Sequence, residues 1–131
     1  MPDYVVDKTV RALNDRGKSL RGAKVLALGI ACKRDVDDIR ESPSVFVMER
    51  MRDWGAEVQY SDPNVPEFPE MRDHDFDLTS IDLTPEVLGG FDAVILLTDH
   101  SDFDYEMIRA NAPVLVDTRG KFRGDDAVVR A

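Results

Sequence analysis

Four short apolar runs punctuate the chain, each bounded by polar or turn-forming residues. They are Lys24-Val25-Leu26-Ala27-Leu28-Gly29-Ile30-Ala31, Glu57-Val58-Gln59-Tyr60, Asp92-Ala93-Val94-Ile95-Leu96-Leu97-Thr98 and Pro113-Val114-Leu115-Val116-Asp117. The first, third and fourth are almost continuously apolar, the pattern of parallel strands covered on both faces. Helical spacing lies between them. Ser42 supplies an N-cap and Pro43 a first helical position; Val45, Met48, Met51 and Arg52 follow, and Gly55 closes the segment. Phe103 to Ala110 reads as a further short helix, with Tyr105, Met107 and Ile108 available for packing. Strand and helix alternating in this way predict an α/β fold with a mostly parallel, doubly wound sheet and right-handed crossovers.

Two stretches stand outside this alternation. Tyr4, Val5, Val6, Val10 and Leu13 recur at helical spacing, and Asp15-Arg16-Gly17 provides a stop. A helix that precedes the first strand of a wound sheet has no evident place in its core, so this one is expected to be poorly anchored. The other stretch, residues 61–82, carries three prolines and seven acids against one arginine. It reads as a solvated surface loop with short helical or strand pieces.

At 131 residues and 43% hydrophobic content, the chain suits one globular domain, and no apolar run is long enough to span a membrane. The residues after Met1 lack the basic and then apolar pattern of a secretory signal. A single cysteine fits a reducing compartment, so a cytoplasmic protein is expected. The net charge of -9 argues against general binding of nucleic acid.

Against that acidic background, cations gather at one predicted edge. Ligands of wound sheets bind outside the carboxyl ends of the strands. The first strand ends at Ala31-Cys32, which places Lys33 and Arg34 at that edge; Arg40 precedes the helix opened by Ser42, and Arg119 follows the last strand. A helix N-terminus nearby adds N–H donors and a positive dipole end, a combination suited to a phosphate-bearing ligand. The same cations could instead be solvated and balance Asp35, Asp37, Asp38, Glu41 and Asp117; charge and position alone leave both readings open. A dinucleotide fingerprint is absent, because Gly29 is the one glycine where three would be needed.

The run Gly29-Ile30-Ala31-Cys32-Lys33-Arg34-Asp35-Val36-Asp37-Asp38-Ile39-Arg40-Glu41-Ser42-Pro43 closely resembles the signature G-x-A-[YF]-K-x-D-x-x-D-x-R-E-S-P of the UDP-glucose/GDP-mannose dehydrogenase family. Met1-Pro2-x-Tyr4-Val5-Val6, Ala12-Leu13-Asn14, Thr98-Asp99-His100-Ser101 and Asp117-Thr118-Arg119 extend the resemblance over nearly the whole chain. It implies a C-terminal, Rossmann-like three-layer domain at 18–131 that binds a nucleotide sugar, preceded at 1–17 by the end of a central-domain helix. It also implies an NAD-dependent enzyme that oxidises the C6 alcohol of a UDP-sugar to a carboxylate, for surface polysaccharide biosynthesis, through a thioester on a cysteine of the central domain. By the same resemblance the backbone at Cys32 and the ammonium of Lys33 contact the nucleotide sugar, and Arg119 binds its nucleotide part. Arg40 reaches the NAD held mainly by an N-terminal domain. The partners implied are the UDP-sugar and the remaining dehydrogenase domains, in an enzyme expected to be a homo-oligomer.

Cys32 departs from the aromatic residue usual in the signature, and Gly120 stands where Asn is common. The family's nucleophile lies in a G-G-x-C motif that this sequence lacks, so Cys32 is expected to pack at a strand end, and the chain alone to be inactive. His100 is expected to be a turn residue capping the next helix, and His74 an exposed loop residue that makes no metal site. Trp54 and Phe46 are expected to pack in the core or between helices. The Arg-Glu-Ser-Pro and Thr-Asp-His-Ser wording leans toward UDP-N-acetylhexosamine dehydrogenases. A stand-alone module that senses a nucleotide sugar is the alternative. A phospho-receiver domain would need acids where Ala31-Cys32-Lys33 stand.

Overall fold

A computed structural model describes residues 2–31, 35, 42–69 and 76–131. Its elements run α1 (Pro2–Asp15), β1 (Lys24–Leu28), α2 (Pro43–Asp53), β2 (Glu57–Ser61), α3 (Pro85–Gly89), β3 (Ala93–Leu96), α4 (Tyr105–Asn111), β4 (Leu115–Asp117) and β5 (Val129–Arg130). The strands form one sheet in the order β2-β1-β3-β4-β5, and every pairing is parallel. The register is set by pairs such as Leu26 with Gln59 and with Val94, and Ile95 with Val116.

Alternation along each strand divides the core into two layers, because successive side chains leave a strand on opposite faces. Val25, Ala27, Ala93, Ile95 and Val116 pack on the face that also buries Val45, Val47, Met48 and Met51 of α2. Leu26, Leu28, Val94, Leu96 and Leu115 face the other way, against Leu88 of α3 and Ile108 of α4. Both faces are therefore apolar and covered, which explains the continuous hydrophobic runs and gives the three-layer, doubly wound α/β arrangement.

Local signals fix the helix ends. Ser42 caps α2 by accepting the Ser44 N–H, with Pro43 at the first turn, and Gly55 leaves the helix at φ +93°. Thr84 and Asp104 cap α3 and α4 by accepting the N–H groups of Val87 and Met107. Asp104, rather than His100, is the cap of α4.

The N-terminal helix differs from its expectation. Val5, Val6, Thr9 and Leu13 are buried in the same core as α2, and α1 packs directly on that helix. Its stripe faces an apolar surface that the crossover helix leaves available, so it needs no second domain to hide it. Tyr4, by contrast, is 47% exposed. Phe46 and Trp54 also point outward, at 44% and 55% exposure, since Val45, Val47, Met48 and Met51 occupy the core-facing positions of α2. The acidic span is only partly solvated: Asp62, Val65 and Phe68 are buried, and Glu67 bridges to Thr79. His74 lies outside the described residues. No helix among the described residues is long and apolar enough to cross a membrane.

Candidate nucleotide-binding edge

Five parallel strands place all their carboxyl ends on one edge. The chain leaves β1 for β2 on one side and returns to β3 on the other, so the order reverses between β1 and β3. Open α/β sheets bind ligands in the crevice at such a point.

Gly29 makes this crevice possible. Its φ is +83°, and a Cβ there would stand 2.5 Å from the Thr98 carbonyl oxygen and 2.6 Å from the Thr98 Cβ. Only a residue without a side chain lets the exits of β1 and β3 come so close. The Thr98 hydroxyl then donates to the Ala31 carbonyl at 2.6 Å, joining the two exits directly.

A second link is a buried histidine–carboxylate pair. Asp62, directly after β2, accepts at Oδ2 from the Ile30 N–H at 2.8 Å and the Ala31 N–H at 3.3 Å; its Oδ1 accepts the Asn64 N–H at 2.8 Å. The Nε2 of His100 lies 2.9 Å from the same Oδ2, and both side chains are fully buried. Burial pushes the Asp62 carboxyl up, but the bonds from His100, Ile30 and Asn64 outweigh it and hold the group below its ordinary range. Asp35, at φ +61°, donates its N–H to His100 Nδ1 at 2.8 Å; its carboxylate accepts the Ser101 N–H and hydroxyl.

The β4 exit is organised by Asp117, which is buried. Its carboxylate accepts the N–H groups of Arg119 at 2.9 Å, Gly120 at 3.0 Å and Phe122 at 2.8 Å, while its carbonyl accepts the Ala131 N–H. Gly120 sits at φ +75° within this turn. Asn, the residue usual there in the resembled family, also tolerates that conformation, so the departure preserves the turn. The turn delivers Arg119 to the rim, where its Nε donates to the Leu97 carbonyl at 2.7 Å and fixes the plane of the guanidinium. Arg119 lines a cleft of about 210 Å³ with Val5, Pro43, Ser44, Val47, Leu97, Thr118 and Ala131. The first residues of α2 are thus part of the wall.

Arg119 therefore occupies the edge expected of it, beside a helix N-terminus. Cys32, Lys33, Arg34 and Arg40 lie outside the described residues; their flanks Ala31, Asp35 and Ser42 are all at this edge. Sequence reasoning missed Asp62 and took His100 for a helix cap rather than the partner of that carboxylate. A usable signal existed, since each follows the carboxyl end of a strand near the reversal point. Among the described residues no group of His, Cys, Asp and Glu is arranged to hold a metal.

Comparison with known proteins converges on one family. The pattern described as "UDP-glucose/GDP-mannose dehydrogenase family, UDP binding domain" matches residues 26–124. UDP-glucose 6-dehydrogenase of Rickettsia bellii is 28% identical over 130 residues, covering 95% of this chain and 29% of that protein. UDP-N-acetyl-D-mannosamine dehydrogenase of Yersinia pestis is 32% identical over 130 residues, covering 93% and 30%. The chain spans under a third of the length of these relatives. Among solved structures, NDP-N-acetyl-D-galactosaminuronic acid dehydrogenase of Methanosarcina mazei superposes with a TM-score of 0.70 at 31% identity, over 90% of this chain and 25% of that one. Taken with the wound sheet, the match over 26–124 shows that the chain belongs to the UDP-glucose/GDP-mannose dehydrogenase family, within its UDP binding domain.

Proposed function

We propose that this chain is the nucleotide-sugar-binding domain of an NAD-dependent UDP-sugar 6-dehydrogenase. The observation that carries the reading is the position of Arg119, pinned to Leu97 at the β3–β4 exits and set across a cleft from the N-terminus of α2. A guanidinium fixed in one plane beside the positive dipole end of α2 suits a diphosphate. Lys33 and the Cys32 backbone join Arg119 on the ligand, whereas Arg40 is directed to NAD on another domain. Residues 1–17 are the end of a helix from a preceding domain, and 18–131 form the binding domain. The ligand is a UDP-N-acetylhexosamine, a choice supported by the sequence wording around Arg40 and His100 and by relatives named for such sugars. The whole enzyme is a cytoplasmic homo-oligomer that oxidises C6 to the carboxylate for surface polysaccharide synthesis.

The division of labour follows from the residues. Arg119 and Lys33 neutralise phosphate charge and orient the nucleotide; the buried Asp62–His100 pair holds the neighbouring backbone. Oxidation needs NAD, which accepts the hydride when bound, and a nucleophilic cysteine in a motif this sequence lacks.

UDP titration followed by amide chemical shifts tests the reading. An exposed site that lacks its enclosing domains should bind with a dissociation constant of about 1 mM. Perturbations should cluster at residues 29–34 and 117–121. Lys33→Ala and Arg119→Ala should weaken binding about tenfold, while Arg40→Ala changes it little. Scattered shifts, or equal losses from all three substitutions, would replace a site with nonspecific anion attraction. Measurable affinity for a UDP-sugar in a natural protein confined to these domains would favour the sensing module.

A further inference from the structure

Burying an imidazole is costly unless both ring nitrogens find partners, and what those partners are decides where the proton resides. His100 is fully buried. At Nδ1 it meets the Asp35 backbone N–H at 2.8 Å and the Asn64 side-chain amide nitrogen at 3.1 Å. A backbone N–H can only donate, so Nδ1 must accept and carries no proton. Nε2 therefore bears the hydrogen and donates it to Asp62 Oδ2 at 2.9 Å. That oxygen also receives the N–H groups of Ile30 and Ala31. One end of the imidazole thus ties to residues 30 and 31 through Asp62, and the other end holds residue 35. The residues between those two anchors are Cys32, Lys33 and Arg34. Asp35 returns two bonds to Ser101, next to the histidine, which closes the ring of contacts.

We infer that His100, with its proton on Nε2, is a positioning residue whose bare Nδ1 holds the Asp35 flank of residues 32–34 while Asp62 holds residues 30 and 31 by its own bonds, and that the Asp35 bond sets the affinity of this edge for a nucleoside diphosphate. The inference rests on the proposed function for its ligand, but the clamp itself does not. Its two bonds can be separated chemically. Asn at position 100 can place its carbonyl oxygen near the site of Nδ1 and accept the Asp35 N–H. Gln reaches Asp62 with its amide but leaves the Asp35 N–H without that acceptor.

The test uses the full chain, with UDP as probe, in wild type, His100→Asn and His100→Gln. Asn should retain UDP affinity within about threefold, and Gln should lose about tenfold, the scale of one hydrogen bond. Equal affinity in Asn and Gln would overturn the inference. Two ligand-free measurements judge the clamp separately. Nitrogen-15 spectra of wild-type His100 should show a protonated Nε2 and a bare Nδ1, and a proton on Nδ1 would overturn it even if neither variant folds. Exchange of the Asp35 amide should accelerate in Gln and stay slow in Asn; equal rates would count against the clamp. Failure of the wild type to bind UDP at all sinks the functional reading instead, and these two measurements then decide the clamp alone.

Discussion

Two glycines with similar backbone angles sit in opposite surroundings. Gly17 has φ +72° and nothing within 4 Å of an added Cβ, while Gly29 combines φ +83° with backbone 2.5 Å away. Gly17→Ala should therefore cost about 1 kcal/mol, the strain of a left-handed alanine, and Gly29→Ala about 2–4 kcal/mol, because the β1 and β3 exits must also part. Urea denaturation of the pair checks the contrast; equal costs would mean that the close approach is unimportant. Tyr60 gives a second prediction. Burial, with Asp62 and Glu67 adding charge repulsion, pushes its phenol up to about 12 from 10.0. A raised folded pKa means stability that is present below the unfolded value and lost as pH rises from about 10 toward 12. Ultraviolet titration should find a phenol ionising near 12, with unfolding monitored alongside. Asp62 has the opposite sign: its lowered carboxyl stabilises above the ordinary carboxylate range, and that contribution drains away as pH falls through its folded value. Acid unfolding should be less steep in Asp62→Asn. At this scale the sequence located Arg119, since charge and strand position suffice to put it at the edge. It hid Asp62 among seven acids, because burial of one carboxylate depends on partners that come from β1 and β3.

Elements were legible where local chemistry is strong. The apolar runs located the first four strands, and Ser42, Pro43 and Gly55 bounded α2. Two elements had weak signals. The five-residue helix α3 is announced by Thr84-Pro85-Glu86 but is too short for periodicity, and the two residues of β5 are ordered by pairing with β4. The position of α1 could not be read from its own stripe, since a stripe says that a partner exists without saying which one. Its burial makes a measurable claim. Leu13 is fully buried, so Leu13→Ala should cost about 2–5 kcal/mol, and α1 amides should exchange about as slowly as those of α2. Rapid exchange across residues 4–13 would return α1 to the poorly anchored state its sequence suggests.

For the whole molecule, a net charge of -9 sets a repulsive background that any diphosphate drawn to Arg119 would have to overcome. The purified chain should reduce no NAD with UDP-glucose or UDP-N-acetylglucosamine, since it has neither the glycine-rich loop nor the cysteine motif. Turnover above background in a spectrophotometric assay would make Cys32 the first suspect. The two sides of the sheet also differ in how their helices are sustained. Helices α3 and α4 have five and seven residues, well below the roughly 12–15 at which a helix stands alone in water, so the sheet supplies their order. Arg109 of α4 pairs with Asp125, in the loop that begins at Arg119. A nucleotide seated on Arg119 would damp the fluctuations of that loop and, through the pair, of α4. Calorimetry should then record heat release accompanied by an entropic penalty too large for so small a ligand, and Arg109→Ala, which uncouples the helix, should shrink that penalty.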